Sequence, residues 1–371
     1  MPAPSIDIAI VNYRGVGDTL AALERLGQWP HGTVWVVDNS AHEADLQNES
    51  AALCQACTAM PWVSMITPGK NLGFGRACNL AFAQSRSEYF LLLNPDARIA
   101  PDAVLRLAAV LVENPRLGAV SPKIYWNEQH SFVLPAAFPQ TPWHSVALTL
   151  ATHFPRTTQR FVRHRIQRSM QQMAGPACFE VPFLAGAVML LRRAAVEKAG
   201  GLFDPAYFMF FEDSDLSLRL RRVGSALALV PAASAVHEYR HKASKATLMQ
   251  DSHGQYYKKL FPAFYSLSRQ GRVVAALTRP LPCARLGKVL SAPVGSAAEF
   301  AQLSAACPVI ALSPSPLMMP AMFRPSMDAA RCLDAQEWAL LEPAHYVAWV
   351  QDADRPTVWS WIYFERGEPD C

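Results

Sequence analysis

The chain has 371 residues, 51% hydrophobic and 17% charged, with a formal net charge of +4. That is length for one large domain plus a smaller one, or for two of similar size, with enough apolar residues for a sizeable core, and a charge too small to imply a nucleic-acid partner. No stretch reads as a membrane span: the longest charge-free apolar region, "AQLSAACPVIALSPSPLMMPAMF", is broken by four prolines.

Strand and helix patterns alternate through the first hundred residues. "IDIAIVNY" (6–13) reads as a strand and 18–29 as an amphipathic helix; 33–40 is a strand and 43–57 a helix; 63–69 is a strand, 75–85 a helix and 89–97 a strand. The near-continuous apolar strands predict a parallel sheet covered on both faces, in a doubly wound α/β arrangement. Such sheets bind ligands beyond the carboxyl ends of their strands. Three strands here end in polar groups: Asn12 and Tyr13, Asp38 and Asn39, Asn94 and Asp96.

A helix over 101–113 follows, with Pro101 in its first turn. From Gln129 to Phe179 there is no Asp or Glu, and an insert at about 140–175 carries Arg156, Arg160, Arg163, Arg165 and Arg168, interleaved with Phe154, Phe161, Val162 and Ile166. Two expectations stay open for it: a helix packed by its apolar side, or a basic helix facing an anionic membrane or acceptor. "VPFLAGAVMLLRR" (181–193) reads as a buried strand, "AAVEKAGGLFD" as a helix with a glycine stop, and 208–224 runs from aromatics into acids and an amphipathic helix. His237 closes the next strand, before a polar loop with His241 and Ser244. Beyond Pro262 the chain turns rich in Pro, Ala and Ser, and two short strands flank "DADRP". The expected division is a main domain over 1–265 and a small, β-rich accessory domain over 266–371. Trp338, Trp349, Trp359 and Trp361 there are expected in its core rather than stacked on sugars.

Eight cysteines are scattered along the chain, and Cys54 and Cys57 form a lone C-x-x-C in a helical pattern, without the second pair of a zinc ribbon. Residues 1–20 lack a secretion signal, and with scattered thiols this predicts a cytoplasmic protein.

Chemistry concentrates in three places. Glu212, Asp213 and Asp215 follow "YFMFF". Apolar surroundings raise a carboxylate pKa into the range of a general base, whereas acids at a helix start also serve its dipole. The expectation is a structural Asp215 with Asp213 or Glu212 reactive. "NLGFGRACN" (71–79) opens a helix with two glycines that let a ligand approach the backbone. It could hold a dinucleotide, with Asp96 on the ribose, but Cys78 stands where that fingerprint needs its third glycine. His237, ending its strand, is placed to meet Asp96.

The ordered motifs "IVNYRG", "VVDNS", "NLGFGRACN", "LLLNPDA", "FLAGAVMLLRR" and "GLFDPAYFMFFEDSDLSLRLRRVG", with "VHEYRHKAS" after them, resemble family 2 glycosyltransferases of the GT-A fold, in the bacterial rhamnosyltransferase-like branch. The resemblance covers roughly residues 5–260. It implies a Rossmann-like mixed sheet and an inverting transfer from a dTDP-, UDP- or GDP-sugar to a glycan or lipid-linked acceptor in surface polysaccharide synthesis, with a rhamnose donor the first candidate. Carried onto this chain, it implies nucleotide-sugar contacts from Asn12, Asp38, Asn71, Gly73, Asn79 and Asn94. It further implies Mg²⁺ or Mn²⁺ at Asp96 with His237, and Asp213 as general base beside Glu212. Asn94 replaces an acid in the common metal motif and removes one negative charge from the site, a form usual in this branch. Peripheral membrane contact and a homodimer built through the C-terminal region stay open. So do two other functions, a nucleotide-dependent oxidoreductase and a non-catalytic sugar-nucleotide or glycan-binding protein.

Overall fold

A computed structural model describes residues 4–135, 140–144, 146, 155–238, 246–270, 287–315, 321–351 and 359–367. Phe154, His241, Ser244 and the "DADRP" turn fall outside them. Strands β1 (Ile6–Asn12), β2 (Val34–Asp38), β3 (Val63–Ile66) and β4 (Tyr89–Leu93) run parallel in the order β4-β1-β2-β3. Helices α1 (Val16–Leu26), α2 (Gln47–Thr58) and α3 (Phe74–Gln84) connect them. Each strand presents alternate residues to opposite faces. Ile6, Ile8 and Ile10 of β1 pack with Leu23 and Leu26 of α1 and Leu107 of α4 (Pro101–Glu113), whereas Ala9 and Val11 pack with Ala77, Cys78 and Ala81 of α3. The sheet is thus buried on both sides, as its apolar strands require.

On the other side of β4 the direction changes. Strand β9 (Val188–Arg192) pairs antiparallel with both β4 and β6 (Leu117–Tyr125). The apolar run 181–193 therefore becomes a strand only over 188–192: residues 181–187 form irregular backbone, with Gly186 lying beside Asp213. Strand β10 (Ala226–His237) pairs parallel with β6 and antiparallel with β5 (Ala97–Ile99) and β8 (Phe179–Glu180), shifting register between Val230 and Ser234. The sheet is mixed rather than wholly parallel, which corrects the bottom-up expectation and matches the GT-A arrangement that the resemblance implies.

Residues beyond 286 continue this sheet. β11 (Gly287–Val289), β15 (Trp359–Glu365), β14 (His345–Gln351), β12 (Val309–Ser313) and β13 (Met322–Phe323) lie in that order, and β13 joins β7 (Val133–Leu134) through Phe323 and Val133. Trp338, Trp349 and Trp361 are buried in the core. Arg324, 1% exposed, pairs with the buried Glu337 and lies 4.0 Å over the Phe132 ring. Its other N–H groups donate to the carbonyls of Val309, Ser131 and Arg331, so the buried charge is paired and solvated by protein.

Candidate active site

The polar residues lie together at the carboxyl ends of the parallel strands β1, β2 and β4. Asn12 and Asp38 are fully buried there and bond to each other: Asn12 Nδ2 donates to Asp38 Oδ1 at 2.9 Å. Asn12 Oδ1 accepts from the Gly15 N–H and the Thr19 hydroxyl, while Asp38 also accepts from Ser40 and Ser50. Burial raises the Asp38 pKa, but the hydrogen bonds from Ser50, Ser40 and Asn12 outweigh it and hold the carboxyl below its ordinary value. Both side chains are turned inward, so they tie β1, β2 and the start of α1 into a floor.

Above that floor two loops clasp each other. Asn39 Nδ2 donates to the Gly73 carbonyl, and Asn71 Oδ1 accepts from the Gly73 N–H. Gly73 has φ +78°, and a Cβ there would lie 2.0 Å from the Phe208 carbonyl oxygen, so this close approach admits only glycine. The Phe74 N–H donates to that same oxygen, Arg76 reaches the Pro205 carbonyl, and Asn79 bonds the Phe203 backbone with both ends of its amide. Asn71, Gly73 and Asn79 thus hold the 203–211 loop in place.

That loop delivers the acids. Phe210 and Phe211 both have positive φ, +70° and +66°, a strained conformation for bulky residues. The corner turns Glu212 and Asp213 into the first turn of the Glu212–Arg222 helix. Asp213 accepts from the Gly186 N–H at 3.1 Å and the Ser214 N–H at 2.7 Å. Glu212 is 5% exposed, and its Oε2 finds no hydrogen-bond partner among the described residues. Burial pushes Glu212 up to about 8, helped by the neighbouring Asp213 charge, and burial raises Asp213 against the pull of its two N–H donors. Asp215 is occupied otherwise: Arg219 and Lys259 hold its two oxygens at 2.6 and 2.7 Å.

Across the site, His237 pairs opposite Ala97 at the end of β10, and its Nε2 lies 3.1 Å from Asp96 Oδ1. The Asn94 N–H donates to the Ala187 carbonyl. Residues 186 and 187 therefore touch both acidic sites, Asp213 on one flank and the Asn94–Asp96 turn on the other.

The profile described as "Glycosyltransferase like family 2" matches residues 4–256 of this chain. The chain belongs to that family. Among curated relatives, the N-acetylglucosaminyl-diphospho-decaprenol L-rhamnosyltransferase of Mycobacterium tuberculosis is 29% identical over 200 residues, 50% of this chain and 62% of that protein, so the match spans less than two thirds of its length. Rhamnosyltransferase WbbL of Escherichia coli is 27% identical over 199 residues, 51% of this chain and 68% of that one. Two solved structures are similar in outline. GalNAc-T7 with UDP, GalNAc and Mn²⁺ has a TM-score of 0.48 at 13% identity, covering 72% of this chain and 51% of that one. The mannosyltransferase PcManGT of Pyrobaculum calidifontis with GDP-Man and Mn²⁺ has 0.44 at 15% identity, covering 76% and 77%.

In this family 2 member the sequence-derived residues fall into two groups by their contacts. Asp213, with Glu212 beside it, and the Asn94–Asp96 turn, with His237, lie on the two flanks of residues 186–187, whereas Asn12, Asp38, Asn71, Gly73 and Asn79 spend their hydrogen bonds on neighbouring strands and loops. Sequence reasoning had Asn39 only as a polar strand end and missed Gly186 and the Phe210–Phe211 corner; Gly186, within the motif "FLAGAVMLLRR", was the one with a visible signal. No group of three or more His, Cys, Asp or Glu side chains clusters as a ready-made cage among the described residues. The Asp96 carboxylate and the His237 imidazole are adjacent, and donors of these types fit a divalent cation. No helix among the described residues is long and apolar enough to cross a membrane.

Proposed function

We propose that this chain is an inverting glycosyltransferase acting on a nucleoside-diphosphate sugar. The observation that carries this is the division of the site. An Asp96–His237 pair suited to the leaving diphosphate and an Asp213 carboxylate suited to a base stand on opposite flanks of residues 186–187. In this account the sugar lies between them. Asp213 accepts the proton of the acceptor hydroxyl through the oxygen pair that Gly186 and Ser214 orient. The hydroxyl oxygen bonds to the anomeric carbon as the bond to the diphosphate breaks, and a single displacement inverts that carbon. A Mg²⁺ or Mn²⁺ held by Asp96 and His237 would neutralise charge on the departing diphosphate. Rhamnose is the first sugar to test and a lipid-linked diphosphate glycan the first acceptor, from the names of the curated relatives.

Binding of UDP-, GDP- and dTDP-sugars with and without Mn²⁺ is the direct test. One nucleotide sugar should bind with metal assistance, and Asp96→Ala should weaken it by at least about tenfold, ~1.4 kcal/mol. NADH binding in the absence of any nucleotide-sugar binding would replace this mechanism with oxidoreductase chemistry.

A further inference from the structure

The Pro155–Ala174 helix has two faces with different fates. Val162, Ile166, Met170 and Met173 are buried in the main apolar cluster, and Thr158 is buried beside them. The apolar stripe is therefore used by the fold and is not a face that can enter a bilayer. On the other side Arg156, Arg160, His164 and Arg168 follow one another at four-residue steps, with Arg163 adjacent, and all five are exposed. No acid occurs between Gln129 and Phe179 to answer them. A helix face that is merely solvated usually mixes signs, because like charges one turn apart repel.

A second observation lies on the segment that meets this helix at Arg165. Trp143 is 84% exposed, whereas the other exposed large apolar side chains among the described residues lie at 46% or below. Its neighbour His144 is half-buried and close enough to Arg165 of the helix to feel its charge, which, after burial, pushes its pKa down. An exposed indole on the segment that meets this helix, together with the helix's outward row of guanidiniums, has the composition of a bilayer interface, where tryptophan sits at the headgroup level and arginines meet phosphates.

We propose that this face docks the protein on an anionic phospholipid bilayer. Arg156, Arg160, Arg163 and Arg168 engage lipid phosphates by charge-assisted hydrogen bonds, and Trp143 enters the interface. Each arginine near such a surface contributes on the order of fivefold in partitioning. Docking of this kind is reversible and salt-sensitive. It needs neither the transfer reaction nor its substrates.

The test is co-sedimentation of the full chain with vesicles of phosphatidylglycerol and phosphatidylcholine in equal parts, against pure phosphatidylcholine. The protein should pellet with the anionic vesicles alone and be released by salt. The triple variant Arg160→Glu, Arg163→Glu, Arg168→Glu should bind at least about 100-fold more weakly, and the matching Lys triple should still bind. Trp143→Ser should weaken binding several-fold and guards the test if the charge-reversed protein does not fold. Failure to pellet with anionic vesicles, or pelleting that neither charge reversal nor Trp143→Ser reduces, overturns the proposal. Capture of inorganic pyrophosphate or a single-stranded oligonucleotide in place of vesicles also overturns it, and would assign the ridge to a soluble anion.

Discussion

Glu212 and Asp213 are neighbours in sequence with unequal surroundings. Two like charges so close cannot both form cheaply in a buried site. The N–H groups of Gly186 and Ser214 favour the anion on Asp213, and Glu212 has no such donor at its buried Oε2 among the described residues. Asp213 is therefore the carboxylate and Glu212 the protonated partner near neutral pH. Asp213→Asn should cut turnover by about 10²–10⁴-fold with nucleotide-sugar binding kept, in steady-state kinetics alongside a binding isotherm. The pair also sets a pH dependence. The folded chain holds the Glu212 proton up to about 8, against an ordinary value of 4.5. Because the native state binds the proton more tightly, stability is full below the ordinary pKa, falls as pH rises toward 8, and stays low above. Glu212→Gln removes that loss. The variant should melt with wild type near pH 4.5 and be the more stable protein at pH 9, by roughly a few kcal/mol. Equal melting curves for the two proteins at pH 9 would place an ionised, well-solvated carboxylate at Glu212.

At the scale of elements, the acids depend on a clasp between two loops distant in sequence. Strand identities and the polar strand ends were legible, because near-continuous apolar runs and terminal Asn or Asp leave marks in a single segment. The irregular stretch before β9 was less so: an apolar run reads as strand, and only Gly186 hinted otherwise. The clasp was hidden altogether. No local pattern announces that Gly73 must touch Phe208, or that two phenylalanines will take positive φ. That corner is held from behind, by Ser252 on the Met209 carbonyl, by Phe211 packed on His253 and Tyr256, and by Lys259 on Asp204 and Asp215. Gly73→Ala puts a methyl 2.0 Å from the Phe208 oxygen, at a φ that alanine resists. It should cost about 1–3 kcal/mol of stability and shift the 203–211 loop, so that kcat falls further than heat-unfolding data alone account for. A variant as active and as stable as wild type would show that the loop is not held at this point.

For the whole molecule, the C-terminal region was expected as a small β-rich unit, and two of its strands, β14 and β15, were visible in the aromatic segments that flank "DADRP", whereas β11, β12 and β13 were not. Nor was their attachment, because it runs through β7, a strand of two residues. A second tie reinforces it: Arg324 reaches the Ser131 carbonyl and the Phe132 ring from the far side of the junction while its charge is answered by Glu337. Removing one partner of a buried pair leaves the other charge uncompensated, at about 3–5 kcal/mol. Here Arg331 also touches Glu337, at 2.8 Å, and being half-exposed it can absorb part of that cost. Arg324→Met should thus destabilise the chain by about 2–4 kcal/mol. The double change Arg324→Met, Glu337→Leu should recover much of the loss, since it removes both charges and keeps apolar volume. If the single variant unfolds in one transition with the rest of the chain, the sheet is one cooperative unit from β3 to β11. If instead the C-terminal strands melt first and nucleotide-sugar binding survives, the junction at Val133 and Phe323 is a boundary between separable parts, and the active-site clasp stands without them.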